Sequence, residues 1–217
     1  MNEPYDTYMQ KNVLKIIALV VSVFVLGLVI GKVAGGDRGF FDRSSHMGGM
    51  FDRGSDGKGD GRGTSDADPD DVMFSTMMIP HHAQAVEMST LAETRSTNAD
   101  VLKLAAQIKA AQAPEIELMK SWNEEWGVSD MGGMHDGHMM GGMLNGAQMV
   151  ELENAKGAEF DKLFLTGMIA HHEGAIEMAN DVIKYGSDER VIELAKSIVE
   201  SQTAEIELMK ELLAKIG

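Results

Sequence analysis

The sequence predicts an all-α protein whose folded part is a four-helix bundle made of two duplicated helical hairpins. The first observation is an internal repeat, because the pattern Met-Ile-x-His-His-x-x-Ala-x-Glu-Met occurs at 78–88 and again at 168–178. Around it, residues 71–122 align without a gap on residues 161–212 and are identical at 21 of 52 positions. The second observation is the apolar spacing of three and four residues in both copies, which is typical of amphipathic helices. No segment alternates as a strand would, so a repeated helical unit accounts for the folded region.

One face of each predicted helix carries the histidines of the repeat. At 100° per residue, one stripe of the first copy contains Phe74, Met78, His81, Ala85, Met88 and Ala92. The corresponding stripe of the second copy contains Phe164, Met168, His171, Ala175, Met178 and Val182. His81 and His171 lie in the middle of the stripe, and His82 and His172 lie at its edge. We expect the four imidazoles to converge in the core, because a duplicated hairpin brings its equivalent surfaces together around a pseudo-two-fold axis.

Three segments precede the bundle. Residues 1–12 form a polar tail. Residues 13–34 are apolar apart from lysines near the two ends and predict a transmembrane anchor or signal-anchor. A cleaved signal peptide is the alternative. Residues 35–67 are rich in Gly and Asp and predict a disordered linker. Both interpretations of the apolar segment predict a C-terminal domain outside the cytoplasm, in the periplasm or at the cell surface.

The duplicated helical-bundle domain is expected at 68–217. Its parts are a first hairpin at 68–126, a Met/His-rich connection at 127–145 and a second hairpin at 146–217. We expect the first helix to begin at Asp68-Pro69, an N-cap followed by proline at the first helical position, and to end near residue 95. Pro80 is expected to kink this helix just before the histidines. The later helices are expected at about 99–126, 146–156, 158–185 and 188–217.

The two return helices place further side chains at the level of the histidines. Counting back from each turn, these are Gln112, Glu115 and Met119 in the first hairpin and Gln202, Glu205 and Met209 in the second. We expect them to support the ligands from behind or to act as occasional ligands. A solvated helix face is the alternative for Glu115.

The side chains of the repeat indicate a soft metal ion. Imidazole suits Cu, Zn, Fe and Ni, whereas thioether sulfur selects soft ions, above all Cu(I), and Ag(I) should follow it. Each copy pairs a methionine with a histidine one turn later, Met78 with His82 and Met168 with His172, so each pair can share an ion. Ordinary core packing is the alternative, although burying four imidazoles is costly unless their polar atoms are satisfied.

The connection between the hairpins carries a second concentration of metal-binding side chains. Five methionines and two histidines alternate with glycine: Met131, Met134, His135, His138, Met139, Met140 and Met143. Such a segment is neither a core nor a helix, and flexible Met/His tracts bind metal by wrapping around it. We therefore expect Cu(I) or Ag(I) binding here as well, and an oxidation-prone spacer is the alternative.

Composition excludes several other classes of protein. The chain has 217 residues and no cysteine, which excludes disulfides, thiolate zinc sites and iron–sulfur clusters. Its formal net charge of −15 argues against a nucleic-acid partner, since a phosphate backbone requires a basic face. Methionine, with 18 residues, is the anomaly, and core packing accounts for only part of it.

The duplicated block resembles the domain-of-unknown-function 305 family. The resemblance rests on the two Met-Ile-x-His-His blocks, on Phe160-Asp161-x-x-Phe164 and on Met143-Leu144, and it covers about residues 70–212. It implies a ferritin-like helical bundle that is exported and is linked to copper binding and copper tolerance. Pro80 departs from the second copy, which has Ala170, so a kink there would make the two half-sites unequal. By position, the resemblance implies these metal-associated residues: His81, His82, Met78, Met88, His171, His172, Met168 and Met178.

Three functions remain open from the sequence. The first is a membrane-tethered extracytoplasmic protein that binds Cu(I) and Ag(I) without turnover, for copper sequestration, tolerance or transfer. It could act as a homo-oligomer or with a copper-transfer partner protein. The second is a ferritin-like metal oxidase; diiron bundles use Glu-x-x-His motifs, and the chain contains none. The third is a metal-free structural or pH-sensing helical module, which leaves the Met/His connection unexplained.

Overall fold

The computed structural model describes residues 67–128 and 141–216, and over these ranges the chain is all-helical without a strand. The predicted all-α fold is thereby confirmed for the bundle domain. The predicted anchor at 13–34 and almost all of the predicted linker lie outside the described residues. Within the described ranges, no helix is long and apolar enough to cross a membrane. Five helices follow one another: α1 Pro69–Arg95, α2 Ala99–Glu125, α3 Gly146–Asn154, α4 Ala158–Tyr185 and α5 Glu189–Ile216.

The helices begin where capping side chains place them. Asp68 accepts a hydrogen bond from the backbone N–H two residues later and precedes Pro69, so α1 starts as predicted. Asn98 caps α2 in the same way. Asn145 and Gln148 form a reciprocal capping box at the start of α3. The bounds of α2, α3 and α5 differ from the predicted ones by one or two residues.

The four long helices form two hairpins that meet through their first helices. Helix α1 packs against α2, α4 packs against α5, and α1 also packs against α4. One apolar cluster, the Phe160 cluster, contains Ala85, Met88, Ala92, Leu104, Ile108, Phe160, Phe164, Leu165, Met168 and Met209. The other, the Trp122 cluster, contains Phe74, Met78, Met119, Trp122, Ala175, Ala179, Val182, Leu194 and Ile198. Since each cluster joins one half of α1 to the opposite half of α4, these two helices run antiparallel and the repeat has the expected pseudo-two-fold arrangement.

Helix α3 covers only one of the two clusters. Leu152 and Ala155 belong to the Phe160 cluster, and Leu144 packs against it. The end of α3 is held against the end of α1, because Arg95 donates from Nε to the Glu153 carbonyl oxygen at 2.8 Å. The pseudo-two-fold symmetry of the hairpins is therefore broken by the chain that joins them.

A buried aspartate connects the first hairpin to the second. Asp71 is 1% exposed. Its Oδ2 accepts hydrogen bonds from the backbone N–H groups of Ser187 at 3.1 Å and Asp188 at 2.8 Å. These groups lie at the start of α5, where N–H groups lack helical partners. The bonds fix the position of one hairpin on the other and hence the way in which α1 and α4 cross.

Candidate metal site

The four histidines of the repeat form one buried layer where α1 and α4 cross. His81, His82, His171 and His172 are all fully buried. The ring centroids of His81 and His171 are 3.8 Å apart, with the planes tilted by 42°. The layer lies between the Phe160 cluster and the Trp122 cluster, so the expected convergence of the imidazoles is what the structure shows. We call His82 and His172 the outer pair and His81 and His171 the inner pair.

The outer pair is held by carboxylates in the same way in both copies. His82 Nε2 lies 2.8 Å from Glu115 Oε2. His172 Nε2 lies 2.7 Å from Glu205 Oε2. The two carboxylates come from equivalent positions of the return helices, as the repeat predicts. Carboxylate partners of this kind orient imidazoles in metal sites and raise their basicity as ligands.

The inner pair is held by backbone carbonyls, and the two copies differ. His171 Nε2 lies 2.9 Å from the carbonyl oxygen of His81. His81 Nε2 instead lies 3.2 Å from the carbonyl oxygen of Gly141, at the end of the connection. The connection therefore supplies one of the contacts that orient the histidine layer.

The Nδ1 atoms of the layer are all left without a partner. Each Nε2 faces an oxygen that accepts, so each Nε2 carries a proton, and each Nδ1 presents a lone pair when its ring is neutral. All four Nδ1 atoms are buried and have no hydrogen-bond partner in the described part of the chain. Buried polar atoms are normally paired. Four unpaired imidazole nitrogens in one layer are suited to a metal ion, which binds neutral imidazole.

Burial keeps the inner imidazoles neutral. Desolvation, reinforced by the neighbouring His82, lowers the pKa of His81 to about 3. Desolvation and the nearby His81 hold the pKa of His171 well below its usual range. A neutral ring is the form that coordinates a metal, so these two nitrogens need not lose a proton first.

Three of the four methionines of the repeat are fully buried. Met78 and Met168 are fully buried one turn before His82 and His172, and they pack in the Trp122 cluster and the Phe160 cluster respectively. Met88 is also fully buried but belongs to the Phe160 cluster, about 10 Å along α1 from His81. Its place is the apolar core.

Of the remaining predicted metal-binding residues, the structure describes two, Met178 and Met143. Met178 is partly exposed and packs at the edge of the Trp122 cluster. Met143 is partly buried and follows the segment that contacts His81. The other predicted residues of the connection lie outside the described residues: Met131, Met134, His135, His138, Met139 and Met140.

The end of the connection docks beside the layer through positions at which the two copies of the repeat differ. Gln84 donates to the Leu144 carbonyl oxygen at 2.9 Å and accepts from the Leu144 N–H at 2.8 Å. On α4, the equivalent residue is Gly174, where a Cβ would lie 1.8 Å from the Gly141 carbonyl oxygen. Gly142 has a φ of 81°, which favours glycine. Sequence analysis missed these roles, and the difference between Gln84 and Gly174 at equivalent positions was the available signal.

Each return helix also carries a buried amide one turn before the carboxylate that holds an outer histidine. Gln112 and Gln202 are each 2% exposed and carry side-chain atoms without a partner among the described residues. Across 67–128 and 141–216, no three His, Asp or Glu side chains are gathered closely enough to hold a metal ion by themselves. A metal in this layer would therefore need another donor besides the imidazole nitrogens, which suit copper, zinc, iron and nickel.

The sequence and the structure are both similar to those of a known protein family. Residues 71–213 match the family model described as domain of unknown function (DUF305). The structure is similar to that of a DUF305 protein from Streptomyces coelicolor that is named as secreted, with 34% identity, 68% of this chain and 92% of that chain covered, and a TM-score of 0.64. A DUF305 fragment from Deinococcus radiodurans has 30% identity, covers 69% and 98% of the two chains, and has a TM-score of 0.64.

A copper-bound structure is also similar. CopM in the Cu(I)-bound form has 29% identity, covers 67% of this chain and 96% of that chain, and has a TM-score of 0.58. Structures of CopM in Cu(II)-bound and Ag-bound forms match over the same share of this chain. No curated protein sequence is significantly similar.

Proposed function

Since the chain belongs to the DUF305 family, whose model matches two thirds of it, we propose that it is a copper-binding protein. The ion is Cu(I), with Ag(I) as its analogue, and the histidine layer of the bundle holds it. The protein binds copper without turnover, for sequestration, tolerance or transfer. The observation that carries the proposal is the set of four buried Nδ1 atoms, each on a ring whose Nε2 is already engaged.

The donor set favours monovalent copper over harder ions. Thioether is a soft donor and imidazole suits copper. Met78 and Met168, each one turn before an outer histidine, are buried in the two apolar clusters on either side of the layer. No cysteine competes for the ion anywhere in the chain. The solved CopM structures hold Cu(I) and Ag, and they share the fold of this domain.

The connection contributes the second part of the proposal. Its end contacts His81 through Gly141, and the seven predicted donors from Met131 to Met143 lie immediately before and after that point in the chain. We propose that these methionines and histidines capture copper and pass it to the layer. A tract of thioethers and glycines exchanges ligands easily, whereas the buried imidazoles retain the ion.

We further propose that the domain works outside the cytoplasm, tethered by residues 13–34. The apolar sequence of this segment and the naming of a similar DUF305 protein as secreted support this location. Copper arriving from outside would then meet the protein before it reaches the cytoplasm.

An anaerobic Cu(I) titration of the full-length chain against a competing chelator tests the copper site. The variant changes His81, His82, His171 and His172 to Gln, which keeps a donor near each Nε2 position and removes the Nδ1 lone pair. We expect the tightest binding to disappear. The control is His46→Gln, which changes a histidine outside the bundle domain and should bind like the unchanged chain.

A second variant separates the layer from the connection. Changing His135 and His138 to Gln and the five methionines of the tract to Leu should slow copper uptake and leave the final affinity of the layer nearly unchanged. If the four-histidine variant binds Cu(I) as tightly as the unchanged chain, the proposed site is wrong.

A further inference from the structure

A pocket on the outside of the bundle carries three methionines from two helices. Met73 and Met77 reach it from α1, and Met178 reaches it from α4. Asp70 and Asp181 lie at the same pocket. The three side chains are partly or largely exposed, and Met73 is 54% exposed. An exposed thioether adds little to core packing, so three of them in one pocket need another explanation.

The equivalent place in the other half of the bundle is closed. Met77 corresponds to Gly167 in the repeat, and Met178 corresponds to Met88. A Cβ at Gly167 would lie 3.4 Å from Met88 Cε and 3.1 Å from Leu144 Cδ1. Gly167 therefore leaves room for Met88 to be buried beneath Leu144.

The first copy lacks this arrangement because its residues differ at two positions. Met77 takes the place of Gly167, and Met73 takes the place of Leu163. The methionine that ends the second repeat, Met178, is thus left beside two more thioethers instead of being buried. The two repeats have the same motif, yet only one of them builds a methionine pocket.

We propose that this pocket is a second binding site, for a soft monovalent ion such as Cu(I) or Ag(I), with Met73, Met77 and Met178 as its ligands. Thioether sulfur selects such ions, and unbranched methionine side chains can converge on one without moving the backbone. Asp70 and Asp181 add negative potential at the rim, which attracts a cation.

The position of the pocket gives it a role in loading the histidine layer. Met77 is one turn before His81 on α1, a rise of about 6 Å along the helix. Met78, next to Met77 in the chain, is fully buried in the Trp122 cluster one turn before His82. The pocket would be a point of entry from which copper moves inward to buried donors. This role rests on the proposed function of the layer, whereas the existence of the pocket site does not.

The test is an Ag(I) titration of the full-length chain with methyl-labelled methionine. Ag(I) is diamagnetic and does not change oxidation state, so the methyl signals report directly on thioether binding. We expect the signals of Met73, Met77 and Met178 to shift together. The variant Met73→Leu, Met77→Leu and Met178→Leu keeps the volume and apolar character of the side chains, and it should lose one equivalent of Ag(I). The control Met149→Leu changes a partly buried methionine outside the pocket and should lose none.

The four-histidine variant distinguishes the two sites. If the pocket binds, its three methyl signals still shift in that variant, even when the layer no longer holds metal. If the triple leucine variant keeps every Ag(I) equivalent, or the three methyl signals do not move, the pocket site is wrong and the histidine layer is unaffected by that result. Retention of all equivalents in the four-histidine variant would contradict the layer and leave the pocket to be judged by its own signals.

Discussion

The two copies of the repeat hold their outer histidines in the same way, but they differ in the partners of their inner histidines and in the burial of their last methionine. His82 and His172 have matching carboxylate partners at 2.8 and 2.7 Å. His81, in contrast, bonds to Gly141, and His171 bonds to His81 itself. Met88 is fully buried, whereas Met178, its counterpart, is partly exposed at a pocket.

The difference shows that duplication gives two equivalent helical hairpins, and that the connection between them removes the equivalence of their surroundings. Leu144 and α3 lie over the Phe160 cluster, where Leu144 is close to Met88, and Gly141 contacts His81. The half that contains the Trp122 cluster has no such cover from α3, and its surface carries the pocket with Met178. One half of the bundle is thus covered by α3, whereas the other leaves Met178 partly exposed at a pocket.

The strongest test of the inner pair is the pH dependence of folding without metal. Below pH 6.5 the unfolded chain protonates His81 and His171, whereas burial keeps both neutral in the folded chain, down to a pKa of about 3 for His81. The unfolded state then binds more protons, so stability is complete above pH 6.5 and falls as the pH falls. Two such groups should lower the free energy of unfolding by about 3 kcal/mol between pH 6.5 and pH 5.

Urea unfolding at several pH values measures this slope. The variant His81→Gln and His171→Gln removes both groups and should lose most of the dependence between pH 5 and pH 6.5. An unchanged slope in that variant would show that other groups cause it.

The paired methionines at the ends of the repeats give the next largest difference. Met88→Ala removes a fully buried side chain from the Phe160 cluster and should cost about 3 kcal/mol of stability. Met178→Ala removes a partly exposed side chain and should cost about 1 kcal/mol, because less apolar area is lost. Thermal or urea unfolding of the two metal-free variants provides the comparison. Equal losses would mean that the halves are packed alike.

The outer pair should respond nearly symmetrically to changes in its carboxylates. Glu205→Gln and Glu115→Gln keep an acceptor near each Nε2 but remove the charge that raises the basicity of the ring. We expect Cu(I) affinity to fall by about 10- to 100-fold in each variant. The Glu205 side chain is 3% exposed and that of Glu115 is 12% exposed, so the Glu205 change should have the larger effect. Competition titrations measure both, and equal affinity in all three proteins would argue against support of the ligands by these carboxylates.

The symmetric part of the molecule was predictable because a repeat constrains two places at once. The spacing of apolar residues predicts four long helices, and the doubled His-His pair predicts one layer. Glu115 and Glu205 were placed at that layer by counting back along the return helices. Each of these predictions needed only helical geometry and the pseudo-two-fold relation.

The asymmetric part was not predictable from periodicity. Nothing in the helical pattern says that the carbonyl oxygen of Gly141 reaches His81, since a loop docks by close approach and not by an apolar stripe. Met77 and Gly167 look like a minor difference between two aligned copies, yet this difference decides whether Met88 or its counterpart is buried. Contacts that depend on the absence of a side chain leave little trace in a hydrophobic pattern.

The two glycines of α4 provide the finest test of how the connection is held. Replacing glycine by alanine inside a helix stabilises it by up to about 1 kcal/mol when space allows. At Gly167 the new methyl group meets only the ends of the flexible Leu144 and Met88 side chains. At Gly174 it would overlap the backbone of Gly141, which must move away and release His81.

We expect Gly167→Ala to change stability by less than about 0.5 kcal/mol and Gly174→Ala to lower it by about 1–2 kcal/mol, close to the contribution of the lost hydrogen bond. Urea unfolding gives both values, and an imidazole nitrogen NMR signal from His81 that changes only in Gly174→Ala would identify the released contact. Equal behaviour of the two variants would mean that the connection does not depend on Gly174 for its place beside the layer.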